Sequence, residues 1–304
     1  MNAMNATLVR EHNALVLGRL PPDAAATLGQ ICAPESPADL AVACLGFAGV
    51  LCVGCGALEL ANSARAAGKP ADPRFDSRRA QILRECAESV VPVLCSTAFT
   101  LWWFRTVFPL RWGFPAPVAP LSFGAGVADV LLWLLNFEVF GYATHVLIHR
   151  RTFCGLRLPL YQWVHQPHHR YRQPTAFCAQ AITGLEGIYF AATSVLVSLV
   201  FPTSHAVQFG LGSFMLLWSI AAHDSEGWLD GGFHYEHHNH PDCNFGFLGF
   251  MDVLCGTMYT GEKHDCRGSG VRPAYMRQHY LGRLHRCLHG EEEGGKRGKG
   301  AKDR

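Results

Sequence analysis

Five strongly apolar segments alternate with polar stretches along the chain. A transmembrane helix needs about 20 apolar residues to cross the hydrocarbon core of a bilayer, and the first three segments reach that length. The last two are shorter and are separated only by Phe201–His205, which contains a proline. We therefore predict that they form a helical hairpin that enters the bilayer and returns. The five segments cover about residues 40–60, 89–110, 121–143, 184–201 and 206–222.

This pattern predicts an all-α integral membrane protein with about four to five transmembrane helices. Residues 1–38 are polar and are expected to form a loosely ordered N-terminal arm. Residues 39–120 hold the N-terminal transmembrane helices and the linker between them, and residues 121–260 hold the remaining helices. Residues 261–304 form a polar C-terminal tail, whose end has too little apolar content to fold and is predicted to be disordered.

Basic residues are concentrated in the linker between the first two apolar segments. Six of them lie within residues 62–88, whereas only Arg105 and Arg111 lie near the next loop. Because cytosolic loops carry an excess of Lys and Arg, the linker is predicted to face the cytosol. Counting crossings from the linker places the ends of the third segment and of the hairpin on the same side. The six residues are Arg65, Lys69, Arg74, Arg78, Arg79 and Arg84.

Composition narrows the class of protein further. Hydrophobic residues make up 49% of the chain and charged residues 16%, which is below the roughly 25% charged residues of an average soluble domain. The formal net charge of +2, with no basic stripe between aromatic residues, argues against a nucleic-acid partner. The 12 cysteines are scattered, and several, such as Cys52 and Cys55, lie inside apolar runs. We expect them to stay reduced and to pack as small apolar side chains.

Histidines cluster in three boxes near the ends of the apolar segments. The first box has i,i+4 spacing, and the other two repeat the pattern H-x-x-H-H. These spacings place imidazole rings on one helical face, where they can share a metal ion. Eight nitrogens suit two ions better than one tetrahedral zinc, although imidazole suits iron, zinc, copper and nickel alike. The boxes consist of His145 and His149, then His165, His168 and His169, then His234, His237 and His238.

Other polar residues near the boxes are further candidates. His223 ends the last apolar segment and is predicted to be a ninth ligand. Glu138 shares a helical face with His145, and an ionisable residue inside a membrane segment is usually functional, so we expect Glu138 to hold a ligand histidine in place. His240 is a weaker candidate ligand. His205 lies in the turn of the hairpin and is expected to be structural.

The boxes and the sequence that follows them resemble the fatty acid hydroxylase / sterol desaturase superfamily, whose members are membrane-bound, histidine-box di-iron oxygenases. The gap of 15 residues between His149 and His165 matches the family's spacing, as does the apolar hairpin before the third box. The segment His237–Gly246 resembles the family's H-H-x5-N-[YF]-G stretch, and Asp252–Thr257 resembles its D-x-x-x-G-T stretch. The resemblance covers roughly residues 125–260.

Two positions depart from the family pattern. Val146 stands where members often carry Arg directly after the first histidine. Ser219 stands four residues before His223, where some members carry a further histidine. The second departure leaves the number of ligands open, and with it the alternative of a catalytically silent relative.

The resemblance implies a catalytic domain over residues 121–260 that holds two iron ions and uses O2 as a co-substrate. The eight box histidines would be the catalytic residues, and together with His223 they would be the metal ligands. The implied reaction uses two electrons to hydroxylate or desaturate a C–H bond of a sterol, fatty-acyl lipid or sphingolipid. The electrons would come from a separate donor, such as a cytochrome b5 or a reductase. The implied location is a membrane, the endoplasmic reticulum in a eukaryote, with the site in a histidine-rich cap that faces the cytosol.

Two other classes of function remain open on the residues alone. A membrane zinc hydrolase would need fewer histidines and a glutamate base, a role for which Glu236 is a candidate. A metal transporter would place its site near the bilayer midplane, whereas these histidines lie at the ends of spans. The sequence does not determine which lipid is used, whether it is hydroxylated or desaturated, or the oligomeric state.

Overall fold

The structure is a computed structural model that describes residues 2–23, 25, 37–65, 72–114, 116–150, 152–153, 156–157, 159–223, 230, 232–259 and 288. The predicted C-terminal tail over residues 261–304 lies outside the described residues apart from Leu288.

The described chain is helical except for one antiparallel pair of two-residue strands, β1 (Thr152–Phe153) and β2 (Leu156–Arg157). All five predicted apolar segments lie in helices, so the prediction of an all-α protein is confirmed. π-helical turns cover Trp103–Val107 and Tyr161–His165, and 3-10 turns cover Ala176–Gln180 and Leu196–Leu199. The α-helices are α1 (Asn2–Leu17), α2 (Pro37–Arg65), α3 (Arg78–Trp112, including the first π turn), α4 (Phe123–His149), α5 (Gln166–His169), α6 (Gly184–Val195), α7 (His205–His223), α8 (Phe233–Asn239) and α9 (Phe250–Cys255).

Three of these helices, α3, α4 and α7, are long and apolar enough to cross a membrane. Shorter apolar helical stretches cover Cys44–Leu60 and Gly184–Leu199. On α4, Leu131 and Leu135 are more than 60% exposed, whereas Trp133 between them is fully buried. A helix with one apolar face turned outward is suited to contact lipid on that side, which agrees with an integral membrane protein.

Helix α3 packs along the segment that contains α6. Pro92 lies inside α3, and a Cβ atom added to Gly187 would lie 2.7 Å from the Pro92 carbonyl oxygen. Only glycine permits that approach of two backbones. Toward the other end of α3, Trp103 Nε1 donates a hydrogen bond to Ser198 Oγ at 2.8 Å, and Trp112 Nε1 donates to the Ser198 carbonyl at 2.7 Å.

The prediction of a loosely ordered arm is wrong for residues 2–17, which form α1. Val9 is 2% exposed and belongs to an apolar cluster with Phe108. His12 Nε2 lies 3.1 Å from the Ala119 carbonyl oxygen, and Val118 donates its backbone N–H to Asn13 at 2.7 Å. These partners lie about a hundred positions away along the chain, so the local sequence of the arm does not reveal them.

The linker before α3 packs against the loop that follows the second histidine box. The backbone N–H of Arg172 donates to Asp72 at 3.1 Å, and Gln81 donates to the carbonyl of Gln173 at 2.8 Å. On α2, Glu59 accepts from the backbone N–H of Ala176 at 3.1 Å. The second box also contacts the C-terminal ends of α4 and α7, through His145 and His223. The linker and these helix ends therefore meet at one end of the molecule, as the sequence predicts.

Candidate metal centre

Four separate elements bring the predicted histidines to this end of the molecule. The first box ends α4, the second spans a π turn and α5, the third lies on α8, and His223 ends α7. Helix α8 is held in place by Asp230, whose carboxylate accepts the backbone N–H groups of Gly232 and His234, each at 2.8 Å. Gly232 adopts a left-handed φ of 76° directly before the helix. This cap fixes the direction in which the third box projects.

The nine predicted ligands form two groups, and within each group the possible ligand atoms lie within 4.8 Å of one another. The second and third boxes contribute to both groups, because residues four apart on a helix share a face and their neighbours point elsewhere. The first cluster consists of His145, His149, His165, His169 and His237, and the second consists of His168, His223, His234 and His238.

Hydrogen bonds to backbone carbonyls fix which ring nitrogen faces each cluster. The Nδ1 atoms of His145, His237 and His223 lie 2.7, 2.6 and 2.6 Å from the carbonyl oxygens of Phe245, Cys243 and Ser219. His238 Nδ1 lies 3.1 Å from the Tyr171 carbonyl. A carbonyl oxygen only accepts, so each of these Nδ1 atoms carries the proton and each Nε2 atom keeps its lone pair.

These lone pairs face one another without a proton between them. His145 Nε2 lies 3.0 Å from His165 Nε2. When His165 donates from Nδ1 to an ionised Glu186 carboxylate, both facing atoms are acceptors. Within the described residues, several further ring nitrogens are buried without a hydrogen-bond partner. They are His149 Nε2, His234 Nε2, His237 Nε2 and His238 Nε2, and His169 Nε2 faces His165 Nε2 at 2.9 Å. Converging, buried and unpaired acceptors are the arrangement that a bound cation satisfies, so the residues fit a metal pair.

Electrostatics keep these rings neutral. For the six box histidines outside the membrane-spanning helices, burial lowers the pKa well below its ordinary value of 6.5, and repulsion from neighbouring imidazoles lowers it further. Neutral imidazole is the form that ligates a metal. The two clusters of described residues contain only histidine, a donor set compatible with iron, zinc, copper or nickel.

Glu138 does not hold a ligand histidine, so that prediction is wrong. Its carboxylate accepts the backbone N–H groups of Phe247, Leu248 and Met251 at 3.1, 2.6 and 3.1 Å. The reason is that the loop after the third box folds over α4 and uses Glu138 as its anchor. That loop carries Phe245, whose carbonyl accepts from His145, so Glu138 reaches the first cluster only through the backbone.

Two further carboxylates support the site, and the sequence analysis assigned a role to neither of them. Glu186 Oε1 lies 2.5 Å from His165 Nδ1. Asp252 accepts the backbone N–H groups of Phe245 and Gly246 at 2.7 and 2.6 Å, and burial raises its pKa to about 6. Glu186 was detectable, since it is an ionisable residue within an apolar segment.

The remaining candidate histidines lie outside both clusters. His240 stacks on Tyr259 with ring centroids 5.2 Å apart and lies 3.8 Å from Glu236. His205 is buried against Phe104, with ring centroids 4.9 Å apart. At the departure from the family pattern, Ser219 contributes its backbone carbonyl to His223.

A cavity of about 520 Å³ extends from the histidines into the membrane-spanning helices. His165, His168 and His234 line it near the clusters, while Trp133 and Gln208 line its far part. The walls between are mostly apolar and aromatic. The volume lies within the range of roughly 300–1,000 Å³ of small-molecule sites.

Comparison with known proteins supports the reading of the boxes. Residues 130–257 match the family model for fatty acid hydroxylase. Lathosterol oxidase of Rattus norvegicus is 26% identical over 157 residues, covering 48% of this chain and 49% of the relative. A Delta(7)-sterol 5(6)-desaturase of Aspergillus fumigatus is 30% identical over 118 residues, covering 36% of this chain and 34% of the relative. The chain spans about half the length of such curated relatives or less. No solved structure shows a significant match.

Proposed function

Residues 130–257 belong to the fatty acid hydroxylase / sterol desaturase superfamily, and we propose that the chain is a membrane-bound oxygenase that oxidises a C–H bond of a lipid at two histidine-bound iron ions. One observation carries the proposal. Histidines of both clusters line one end of an apolar cavity that lies among membrane-spanning helices, namely His145, His165, His168, His223 and His234. A site of this kind combines metal binding with access for a hydrocarbon.

The proposed assignment of ligands follows the two clusters. His145, His149, His165, His169 and His237 would hold one ion, and His168, His223, His234 and His238 would hold the other. When bound, a pair of iron ions supplies the activation of O2 that breaks an unactivated C–H bond. Hydroxylation consumes one O2, two electrons and two protons and yields an alcohol and one water. Desaturation consumes the same reagents and yields an alkene and two waters.

The protein's own residues have three tasks in this proposal. The backbone carbonyls that accept from His145, His223 and His237 orient the rings and fix their tautomers. Aromatic and aliphatic walls, including Phe137 and Phe190, exclude water and guide the lipid. Exclusion of water prevents side reactions of the activated site.

Sterols and fatty-acyl lipids are the proposed substrate classes, because curated relatives carry the names of sterol oxidases and desaturases and the family model is that of fatty acid hydroxylase. We propose a separate electron donor, such as a cytochrome b5 or a reductase, that acts at the end of the molecule where the boxes lie. Basic residues of the linker lie at the same end, so we propose, from the positive-inside rule, that this end faces the cytosol.

The test is the metal content of detergent-purified protein after anaerobic reconstitution with ferrous iron, measured by elemental analysis and Mössbauer spectroscopy. The wild-type chain is expected to hold about two irons. A His168→Ala/His237→Ala double variant removes one ligand from each cluster and is expected to lose both. His240→Ala, outside the clusters, is the matched control and is expected to keep both.

Activity is then tested with sterol and fatty-acyl lipids under isotopically labelled O2 and a chemical or enzymatic reductant, with products identified by mass spectrometry. Label in the product indicates hydroxylation, and a loss of two hydrogens without label indicates desaturation. A chain that takes up only one zinc and no iron would contradict the proposal and favour a hydrolase.

A further inference from the structure

The far part of the cavity contains a buried amide. Gln208 lies on α7, is 4% exposed and lines the cavity. Its side-chain oxygen Oε1 accepts a hydrogen bond from Trp133 Nε1 at 3.0 Å. Trp133 is fully buried, and an indole N–H only donates. The contact therefore requires the amide oxygen, and not the NH2 group, to face Trp133.

This orientation leaves the NH2 group of Gln208 as the polar end available to the cavity. Within the described part of the chain, the side-chain hydrogen bond given for Gln208 is the one that Oε1 accepts from Trp133. A donor that faces an apolar cavity gains a hydrogen bond from a bound ligand with an oxygen acceptor. Hydroxyl, carbonyl and ester oxygens all supply such an acceptor.

Three of the hydroxyls on the cavity wall donate to carbonyls of their own helix. Ser96 donates to the Val93 carbonyl, Thr100 to the Ser96 carbonyl and Ser194 to the Ala191 carbonyl. A hydroxyl that bonds back to its own helix has no second proton to offer a ligand. Gln208 thus differs from them in keeping two free donor protons.

The distance from the Gln208–Trp133 pair to the histidines follows from the lengths of two helices. On α7, 15 residues separate Gln208 from His223, which at a rise of 1.5 Å per residue corresponds to about 22 Å. On α4, 12 residues separate Trp133 from His145, or about 18 Å. These distances approach the full length of a sterol or a long acyl chain. They are much longer than the distance between the oxygen-bearing carbon of a lipid and the carbons next to it.

We propose that Gln208 binds the polar oxygen of the lipid substrate, so that the carbon to be oxidised lies near the opposite end of the molecule. This inference rests on the proposed function and adds to it the orientation of the substrate. It predicts oxidation remote from the lipid's oxygen rather than beside it.

Equilibrium binding of radiolabelled lipids to the iron-reconstituted protein in micelles tests the contact without turnover. The probes are cholesterol with cholestane, which lacks its hydroxyl, and hexadecanol with hexadecane. In wild type, each oxygen-bearing lipid is expected to bind more tightly than its hydrocarbon partner. Gln208→Met keeps the size of the side chain and removes the donor. It is expected to weaken binding of the oxygen-bearing lipids about fivefold and to leave the hydrocarbons unchanged.

Two further variants keep the test decisive. Ser213→Ala, also on the cavity wall, is expected to preserve the preference for oxygen. Trp133→Phe removes the donor that orients the Gln208 amide, so a partial loss of the preference for oxygen-bearing lipids is expected. This variant tests the contact even if Gln208→Met fails to fold. Equal losses for both members of a pair, or no loss in either variant, would overturn the inference. The sterol and alcohol pairs separately identify which lipid class uses the contact.

Product analysis separates this inference from the proposed function. If a preference that depends on Gln208 is found but no oxidised lipid forms, the proposed function fails and the binding contact stands. If oxidation occurs beside the lipid's oxygen, the function stands and the proposed orientation is wrong. Oxidation remote from the oxygen supports both.

Discussion

Glu186 Oε1 lies 2.5 Å from Nδ1 of His165, and both side chains are almost fully buried. The two residues come from different elements, α6 and the π turn that carries the second box. His165 Nε2 in turn lies 3.0 Å from His145 Nε2 and 2.9 Å from His169 Nε2. The carboxylate therefore holds the ring at the middle of the first cluster, in the manner of a carboxylate–histidine–metal triad.

Replacing Glu186 by Gln should weaken metal binding at the first cluster only. The amide keeps the size of the side chain but loses the negative charge that supports the basicity of His165. Loss of such a partner typically costs about 10–100-fold in metal affinity. In an anaerobic titration with ferrous iron, we expect one site to weaken and the other to keep the wild-type affinity. The exposed Glu11→Gln is the control, and two unchanged sites would contradict the role of Glu186.

The histidine boxes were predictable because their spacing is a local property of the sequence. Residues three or four apart share a helical face wherever the helix ends up, so His145 with His149, or His234 with His238, could be paired in advance. The division of each H-x-x-H-H box between two clusters was not predictable. It depends on how α4, α7 and α8 meet, which is set by long-range contacts.

The residues that support the metal site could not be identified from the sequence either, because their partners depend on long-range contacts. Glu138 and Glu186 are both glutamates inside apolar segments, and the sequence alone favoured Glu138 because of its spacing from His145. The structure gives Glu138 three backbone donors from the loop after the third box and gives Glu186 the ligand histidine. Likewise, α1 is stabilised by partners such as Val118 that lie far along the chain.

Asp72 should make stability depend on pH in the acid range. Burial opposes its ionisation, but hydrogen bonds from Arg74 outweigh burial and lower the pKa of the carboxyl below its usual value. A lowered pKa in the folded protein contributes stability above the unfolded-state pKa of about 3.9. That contribution is lost as pH falls through the folded-state pKa.

Asp72→Asn is therefore expected to lower the free energy of unfolding by about 1 kcal/mol at pH 7. The difference from wild type should shrink below about pH 4. Thermal unfolding in detergent from pH 3 to 7 measures this change. The exposed Asp76→Asn is expected to follow the wild-type curve. A gap between Asp72→Asn and wild type that stays constant across the range would contradict the assignment.

Gly187→Ala should separate α3 from α6. The added Cβ would lie 2.7 Å from the carbonyl oxygen and 3.1 Å from the Cα of Pro92, and neither backbone atom can rotate away. Overpacking of this kind costs about 1–3 kcal/mol, so we expect a lower Tm in detergent. On α7, an added Cβ at Gly210 meets nothing within 4 Å, so Gly210→Ala is expected to be neutral or stabilising. Equal Tm changes in both variants would show that the contact with Pro92 is unimportant.

Gly212→Leu should shorten the cavity without disturbing the metal site. Gln208, Gly212, Leu216 and His223 follow one another at intervals of four or seven residues and all line the cavity, so they share one face of α7. A Cβ added at Gly212 meets nothing within 4 Å, so a leucine side chain fits there by occupying space that a lipid would use.

We expect Gly212→Leu to lower the affinity for long lipids such as hexadecanol at least tenfold, since a ligand that must span from Gln208 to the histidines meets the new side chain. Iron content should remain that of wild type, which separates this effect from misfolding. The matched control is Gly210→Leu, which places the same residue on an exposed position of the same helix and should bind lipid normally. If Gly212→Leu binds long lipids as tightly as wild type does, the substrate does not pass Gly212, and the cavity between Gln208 and His223 is not its route.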